Sequence, residues 1–175
     1  MPNIGNMVPE LINSYNIYVS GRLIGISGET ELPEMEAMTE TVEAAGVLGE
    51  FDTPATGHYS SMKMKIPFAV LHEDVFKLID TTKALEITLR GSEQFMNRRN
   101  GNTDDIPVKI VVRGKATTDT LGNFAKGKKG EPEVEIEVFY LKVVVNNETK
   151  LLLDKLNFIF EVNGVDKLKK IRRNI

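Results

Sequence analysis

The feature that most constrains this chain is an apolar–polar alternation with a period of two. Val108, Ile110 and Val112 alternate with Lys109 and Arg113, and Leu85, Ile87 and Leu89 alternate with Glu86, Thr88 and Arg90. Side chains two apart share one face of a strand, so each segment predicts a half-buried strand. In EVEIEVFYLKVVVN, Val134, Ile136 and Val138 alternate with Glu133, Glu135 and Glu137, and from Phe139 both faces turn mostly apolar. That strand is expected to pass from a setting with one wet face into one where both faces are covered. SMKMKI alternates Met62, Met64 and Ile66 with Ser61, Lys63 and Lys65.

Turn chemistry divides the strands. SYNIYVSGRLIGIS predicts two strands turning at Ser20-Gly21, and Asn146-Asn147 predicts a hairpin because Asn tolerates positive φ. The return strand is read as TKLLLDKLNFIFEV, with Leu156, Phe158, Phe160 and Val162 on one face. Helical spacing occurs from His72 to Asp80, where Val75, Phe76 and Ile79 form a stripe behind Glu73 and Asp74. VDKLKKIRRN offers a second, short helix at the end. The fold class is mostly β: a β-sandwich or small barrel with one packed α-helix. Two segments read as long loops, residues 44–60 with Gly46, Gly49, Pro54 and Gly57, and residues 117–132 with Gly122, Gly127, Gly130 and Pro132. Loops of that length are uncommon unless functional.

Length fits one domain over 1–175, with an N-terminal arm at 1–14 and a basic C-terminal segment at 165–175. The absence of cysteine excludes disulfides and thiolate metal sites. The first residues lack the basic and apolar regions of a signal peptide, and no run reaches the ~18 apolar residues of a membrane helix.

Signals for catalysis fail on inspection. GNFAKGKK at 122–129 begins like a phosphate-binding loop, but Lys129 stands where Ser or Thr would hold magnesium, and a strand rather than a helix follows. His58 and His72 have no partner at ligand or triad spacing. The acids Glu34, Glu36 and Glu40, and the run Glu133, Glu135, Glu137, spread along strand faces instead of converging on a point. No catalytic residue, cofactor site or metal site is expected.

The tail, EVNGVDKLKKIRRNI, holds five bases and two acids in an otherwise acidic chain of net charge −3. It begins with a turn signal, Asn163-Gly164, and threads Val165, Leu168 and Ile171 among its charges. A packing or assembly contact, a solvated helix and a nucleic-acid arm are the open readings, and the apolar strip favours the first.

These residues resemble a known family. Val162, Asn163, Gly164, Val165 and Asp166, then Arg172, Arg173, Asn174 and Ile175, look like the C-terminal signature of the major tail tube protein of contractile-tailed phages and R-type bacteriocins. VVRG at 111–114, a polar loop, and the long strand that follows are similar in order. The resemblance implies a structural protein whose hexameric rings stack into a hollow tube inside a sheath, with inner hairpins joined into one intersubunit β-barrel. It implies other copies, the sheath, tape-measure and baseplate proteins as partners, DNA only in transit, and the target membrane at ejection. The place implied is a virion tail or tailocin particle assembled in the bacterial host cytoplasm. Alternatives are a type VI secretion-like tube protein and a monomeric ligand-binding β-sandwich.

On that footing, residues 34–44 and 59–66 are expected side by side along the lumen, with Glu34, Glu36, Glu40, Lys63 and Lys65 facing it. Gly46, Gly49, Phe51, Lys126, Lys128 and Lys129 are expected at ring–ring or sheath contacts.

Overall fold

The computed structural model of the chain describes residues 6–24 and 29–175. The expected arm before Asn6 and the end of the second strand at 25–27 lie outside the described residues. In chain order the elements are β1 (Met7–Val19), β2 (Arg22–Ile24), β3 (Ala37–Glu43), β4 (Glu50–Tyr59), β5 (Lys63–Pro67) and α1 (Glu73–Leu78). There follow β6 (Leu85–Asn97), β7 (Thr103–Thr120), β8 (Glu133–Val145), β9 (Glu148–Asp154), β10 (Ile159–Val162), β11 (Val165–Asp166) and α2 (Lys169–Asn174). The mostly-β expectation holds.

One antiparallel ladder runs β11-β10-β9-β8-β7-β6-β1-β2, and β5 joins it against β8. The switch of environment expected within β8 is a switch of neighbour. Residues 133–137 pair with β5, whereas 140–145 pair with β9. Between them the register against β7 slips, so that Arg113 faces Tyr140 and Gly114 faces Val138, leaving Phe139 as the extra residue. Such a bulge bends the strand and increases its twist.

The ladder curls back on itself. β5 and β1 stand four strand spacings apart, about 19 Å if the sheet were flat. Yet Glu31 bridges Lys65 of β5, and its neighbour Thr30 hydrogen bonds through Oγ1 to the Tyr15 hydroxyl of β1, 3.3 Å away. Residues 29–32 therefore span the gap, and the inward sides of β1, β5, β6, β7 and β8 share one core. Ile17, Met64, Ile66, Ile87, Val112 and Ile136 are its buried centre. Helix α1 closes one side with Val75 and Leu78, and its start is capped by His72, whose Nδ1 accepts from the Asp74 amide at 3.2 Å.

The turns follow their chemistry. Ser20-Gly21, Asn146-Asn147 and Asn163-Gly164 all adopt positive φ. Several expectations are corrected. Most of the 44–60 loop is strand: β4 pairs with β3, and Pro54 and Gly57 are tolerated because this two-stranded ribbon leaves an edge free. The part of the 1–14 arm from Met7 onward is ladder, paired with β6 through two bulges next to Pro9 and Asn13. Thr117–Thr120 extend β7, so the second loop starts at Leu121. The return strand is broken at 155–158: the Asp154 carboxylate accepts from the amides of Leu156 and Asn157, and this local turn competes with the ladder. The C-terminal helix forms, so α1 is not alone. Residues 34–44 and 59–66 run side by side only at one end, where Ala37 pairs with Tyr59 and the Ser60 amide donates to the Glu36 carbonyl at 2.9 Å; beyond it β3 takes β4 and β5 takes β8.

Candidate assembly surfaces

The β3–β4 ribbon is the first surface. Val42 faces Phe51, Glu40 faces Thr53, Thr41 faces Asp52 and Glu43 faces Glu50. Strand alternation then puts Met38, Glu40, Val42, Phe51 and Thr53 on one side, and Thr39, Thr41, Glu43, Glu50 and Asp52 on the other. Thr41 donates its hydroxyl to Asp52 at 2.7 Å. The tip, AAGVLG at 44–49, turns on Gly46 and Gly49, both at φ +92°. Leu48 there is fully exposed and Phe51 is half exposed. The base is anchored: Gly57 abuts Leu168, and the rings of His58 and Tyr59 meet Phe158 and Phe160 edge-on at 6.1 and 5.4 Å.

Of the expected contact residues, Gly46, Gly49 and Phe51 sit at this tip or beside it. Lys126, Lys128 and Lys129 belong to a separate exposed loop, held to the body where Gly130 donates its amide to the Ala69 carbonyl. Of the expected lumen residues, Glu34 and Glu36 lead into β3 and Glu40 lies on it. Lys63 and Lys65 lie on β5 in ion pairs with Glu135 at 2.8 Å and Glu31 at 3.2 Å. Those pairings raise the Lys65 ammonium and lower the Glu135 carboxyl from their ordinary pKa values, through the hydrogen bonds first and the charges second.

The C-terminal segment divides into a clasp and a surface. Arg172 donates to the Phe158 carbonyl at 2.8 Å and to the Asp166 carboxylate, and Asp166 also accepts the Leu168 amide at 3.0 Å. The Arg172 hydrogen bond leads in holding the Asp166 carboxyl below its ordinary pKa. Leu168 is 1% exposed, whereas Val165, Ile171 and Ile175 remain outside. The apolar strip read from the sequence thus turns one residue inward. Lys167, Lys169, Lys170 and Arg173 face solvent.

The polar face of the long ladder was missed by sequence reasoning as a site. Arg90 lies opposite Lys109, and Lys142 lies diagonal to Lys109, because Lys109 faces Val144. Like charges so placed repel unless something neutralises them. Arg90 covers the Tyr18 ring at 5.2 Å, while Arg113 pairs with Glu86 at 2.8 Å and covers Tyr140 at 4.6 Å. The alternation of Arg90, Lys109 and Arg113 was the available signal, and only pairing register brings them together.

Two further features complete the inventory. Among the described residues β2 pairs with residues 17–19 and nothing else pairs with the outer edge of β1, where Leu11 and Ile12 are exposed. On the inward side of the same region lies an open groove of about 840 Å³, lined by Ile12, Tyr15, Leu89, Gly91, Val108 and Ile110 on one wall and by residues 29–32 on the other. Among the described residues no cluster of His, Asp and Glu is placed to hold a metal.

Edges, a ribbon and a mixed-charge sheet are the exposed features of the described residues. A family model for phage tail tube protein FII matches residues 9–175. The tail tube protein of Escherichia phage P2 is 22% identical over 170 residues, covering 96% of this chain and 98% of that one. A solved chain from an extracellular contractile injection system, the PVC sheath/tube terminator in its extended state, superposes with a TM-score of 0.56 at 14% identity. That match covers 78% of this chain and 96% of the other. With nearly its whole length matched, the chain belongs to the phage tail tube protein FII family and is a structural subunit of a contractile tail tube.

Proposed function

We propose that this subunit closes into hexameric rings that stack into a hollow tube within a contractile sheath. The observation that carries this reading is the edge of β1 that no described residue pairs beyond β2, on a ladder of four long strands. An unpaired edge bearing Leu11 and Ile12 invites pairing with another chain, and closure around a ring removes it. The polar face of β6, β7 and β8, with Thr88, Arg90, Lys109 and Lys142, is the surface best suited to line the lumen, since the opposite face is core. This moves the lumen away from Glu34, Glu36 and Glu40, which ride on or near the ribbon. The lining then carries the cations Arg90, Lys109 and Lys142 on the β6–β8 face. The tube serves as a conduit, for DNA in a phage or for ions in a bacteriocin, when sheath contraction drives it through the target envelope. Tape-measure and baseplate proteins are the partners that would set its length and its base. Negative-stain electron microscopy of purified protein tests the assembly: rings or hollow tubes are expected, and a monodisperse monomer at high concentration would overturn it.

A further inference from the structure

The ladder of the β3–β4 ribbon lapses at its base. Ala37 pairs with Tyr59 and the next pair is Thr39 with Pro54, so Met38 alone stands opposite residues 55–58. Gly57, inside that lapse, has φ +77°, in the left-handed region that favours glycine. An interrupted ladder bends where the pairing fails, and a two-stranded ribbon has no third strand to carry its direction across. The ribbon's own hydrogen bonds therefore leave its angle to the body unset.

One short stretch of chain grips this place. Leu168 lies so close to Gly57 that a Cβ there would come within 2.9 Å of both Leu168 methyl carbons. The rings of Phe158 and Phe160 meet His58 and Tyr59 edge-on, and Lys155 donates from Nζ to the Ser60 carbonyl at 2.7 Å. The gripping stretch is itself held. Arg172 donates to the Phe158 carbonyl at 2.8 Å, and the Asp166 carboxylate accepts the Leu168 amide at 3.0 Å. Phe158 has φ +55°, a conformation that a bulky residue keeps only where its surroundings over-determine it. Leu168 is 1% exposed, yet it is not a member of the core that the ladder encloses. Its burial serves the ribbon's base instead.

We propose that the C-terminal segment is the strut that sets the angle of the β3–β4 ribbon, with Leu168 and Arg172 as its positioning residues. Leu168 acts through Gly57, and Arg172 acts through Phe158 and the His58 ring it meets. On its other side the same segment exposes Lys169, Lys170 and Arg173, so the strut joins a basic outer surface to the ribbon. The angle is a property of the single chain and does not depend on how copies assemble.

The cysteine-free sequence permits a direct test. Dyes attached at Leu48→Cys in the tip and Lys109→Cys on β7 report the angle by single-molecule energy transfer, at concentrations where each chain is alone. The ribbon is about 25 Å long, so a swing of about 20° moves its tip by roughly 9 Å. The parent is expected to give one narrow band. Leu168→Ala is expected to spread or shift it by at least roughly 9 Å, and Leu168→Met, which refills the space, to restore it. Val165→Ala, an exposed change in the same segment, is expected to leave the band as it is. Circular dichroism checks that each variant keeps its ladder. A broad band in the parent, a parental band from folded L168A, a band from L168M as spread as that from L168A, or an equal shift from V165A overturns the strut. Where L168A does not fold, Arg172→Ala decides, since it removes no buried apolar group: a spread band supports the strut and a parental band overturns it.

Discussion

Single residues show what the C-terminal signature does. Arg172 and Asp166 bind each other and tie α2 to the turn at Phe158, while Leu168 is buried beside Gly57. From sequence these positions were legible as a motif but not as a clasp, because the partner of Arg172 is a backbone carbonyl fourteen residues earlier. Arg172→Ala is expected to lower the melting temperature of the unassembled chain by a few degrees. Its pH dependence has a definite sign. Asp166 titrates below its ordinary value of 3.8 because Arg172 hydrogen bonds to it, so the clasp's contribution is fully present above that value and lost as pH falls through the lower, folded-state pKa. Acid unfolding followed by circular dichroism should therefore show the difference between variant and parent shrinking well below pH 4 to what the Phe158 carbonyl bond contributes; a difference that does not shrink would refute the Asp166–Arg172 pair. Gly114 is the second informative residue. It sits at the β7–β8 bulge, and a Cβ there would overlap the Glu137 carbonyl oxygen, a backbone atom that cannot step aside. Gly114→Ala should cost about 1–3 kcal/mol in denaturant unfolding, as overpacking does; a neutral result would mean that the bulge relaxes freely.

At the scale of elements, alternation made β6, β7 and β8 readable, because each buries one face and wets the other. β4 was hidden for a physical reason. EFDTPATGHY carries Pro and Gly and has no buried face to impose a period, and all but three of its residues are exposed. Its strand character comes only from pairing with β3, which no window of local sequence reports. The break in the return strand was hidden too, since Asp154 directs the turn through its carboxylate while the apolar pattern runs on. The same reasoning predicts the ribbon's dynamics. With no third strand and an exposed apolar side, its amides should exchange with solvent quickly in the unassembled chain. Hydrogen–deuterium exchange should show residues 37–43 and 50–56 unprotected in monomer and protected in tubes, whereas 108–113 and 134–138 stay protected in both. Protection of the ribbon already in the monomer would contradict its need for a partner.

For the whole molecule, the useful quantity is not the net charge of −3 but its division. A chain of mild overall charge repels its copies little, yet the ribbon at 37–59 carries four acids and no Lys or Arg, so it is −4 against +1 for the rest of the chain. Two forces then act on assembly and respond oppositely to salt. Burial of apolar surface is insensitive to simple salts or strengthened by them, while attraction between exposed charges is screened beyond a Debye length of about 8 Å at physiological ionic strength. Attraction acts before contact, so it governs the encounter, and apolar packing governs how long the contact lasts. Raising sodium chloride from about 0.05 M to about 0.5 M should therefore slow the growth of tubes, followed by light scattering, by several-fold. Where assembly buries the exposed apolar residues of the ribbon, the same change should leave tubes already formed largely intact, because dissociation must return those residues to water. Growth that quickens with salt would show that the divided charge hinders encounter instead of guiding it, and tubes that fall apart on adding salt would show that charge, not apolar burial, holds them.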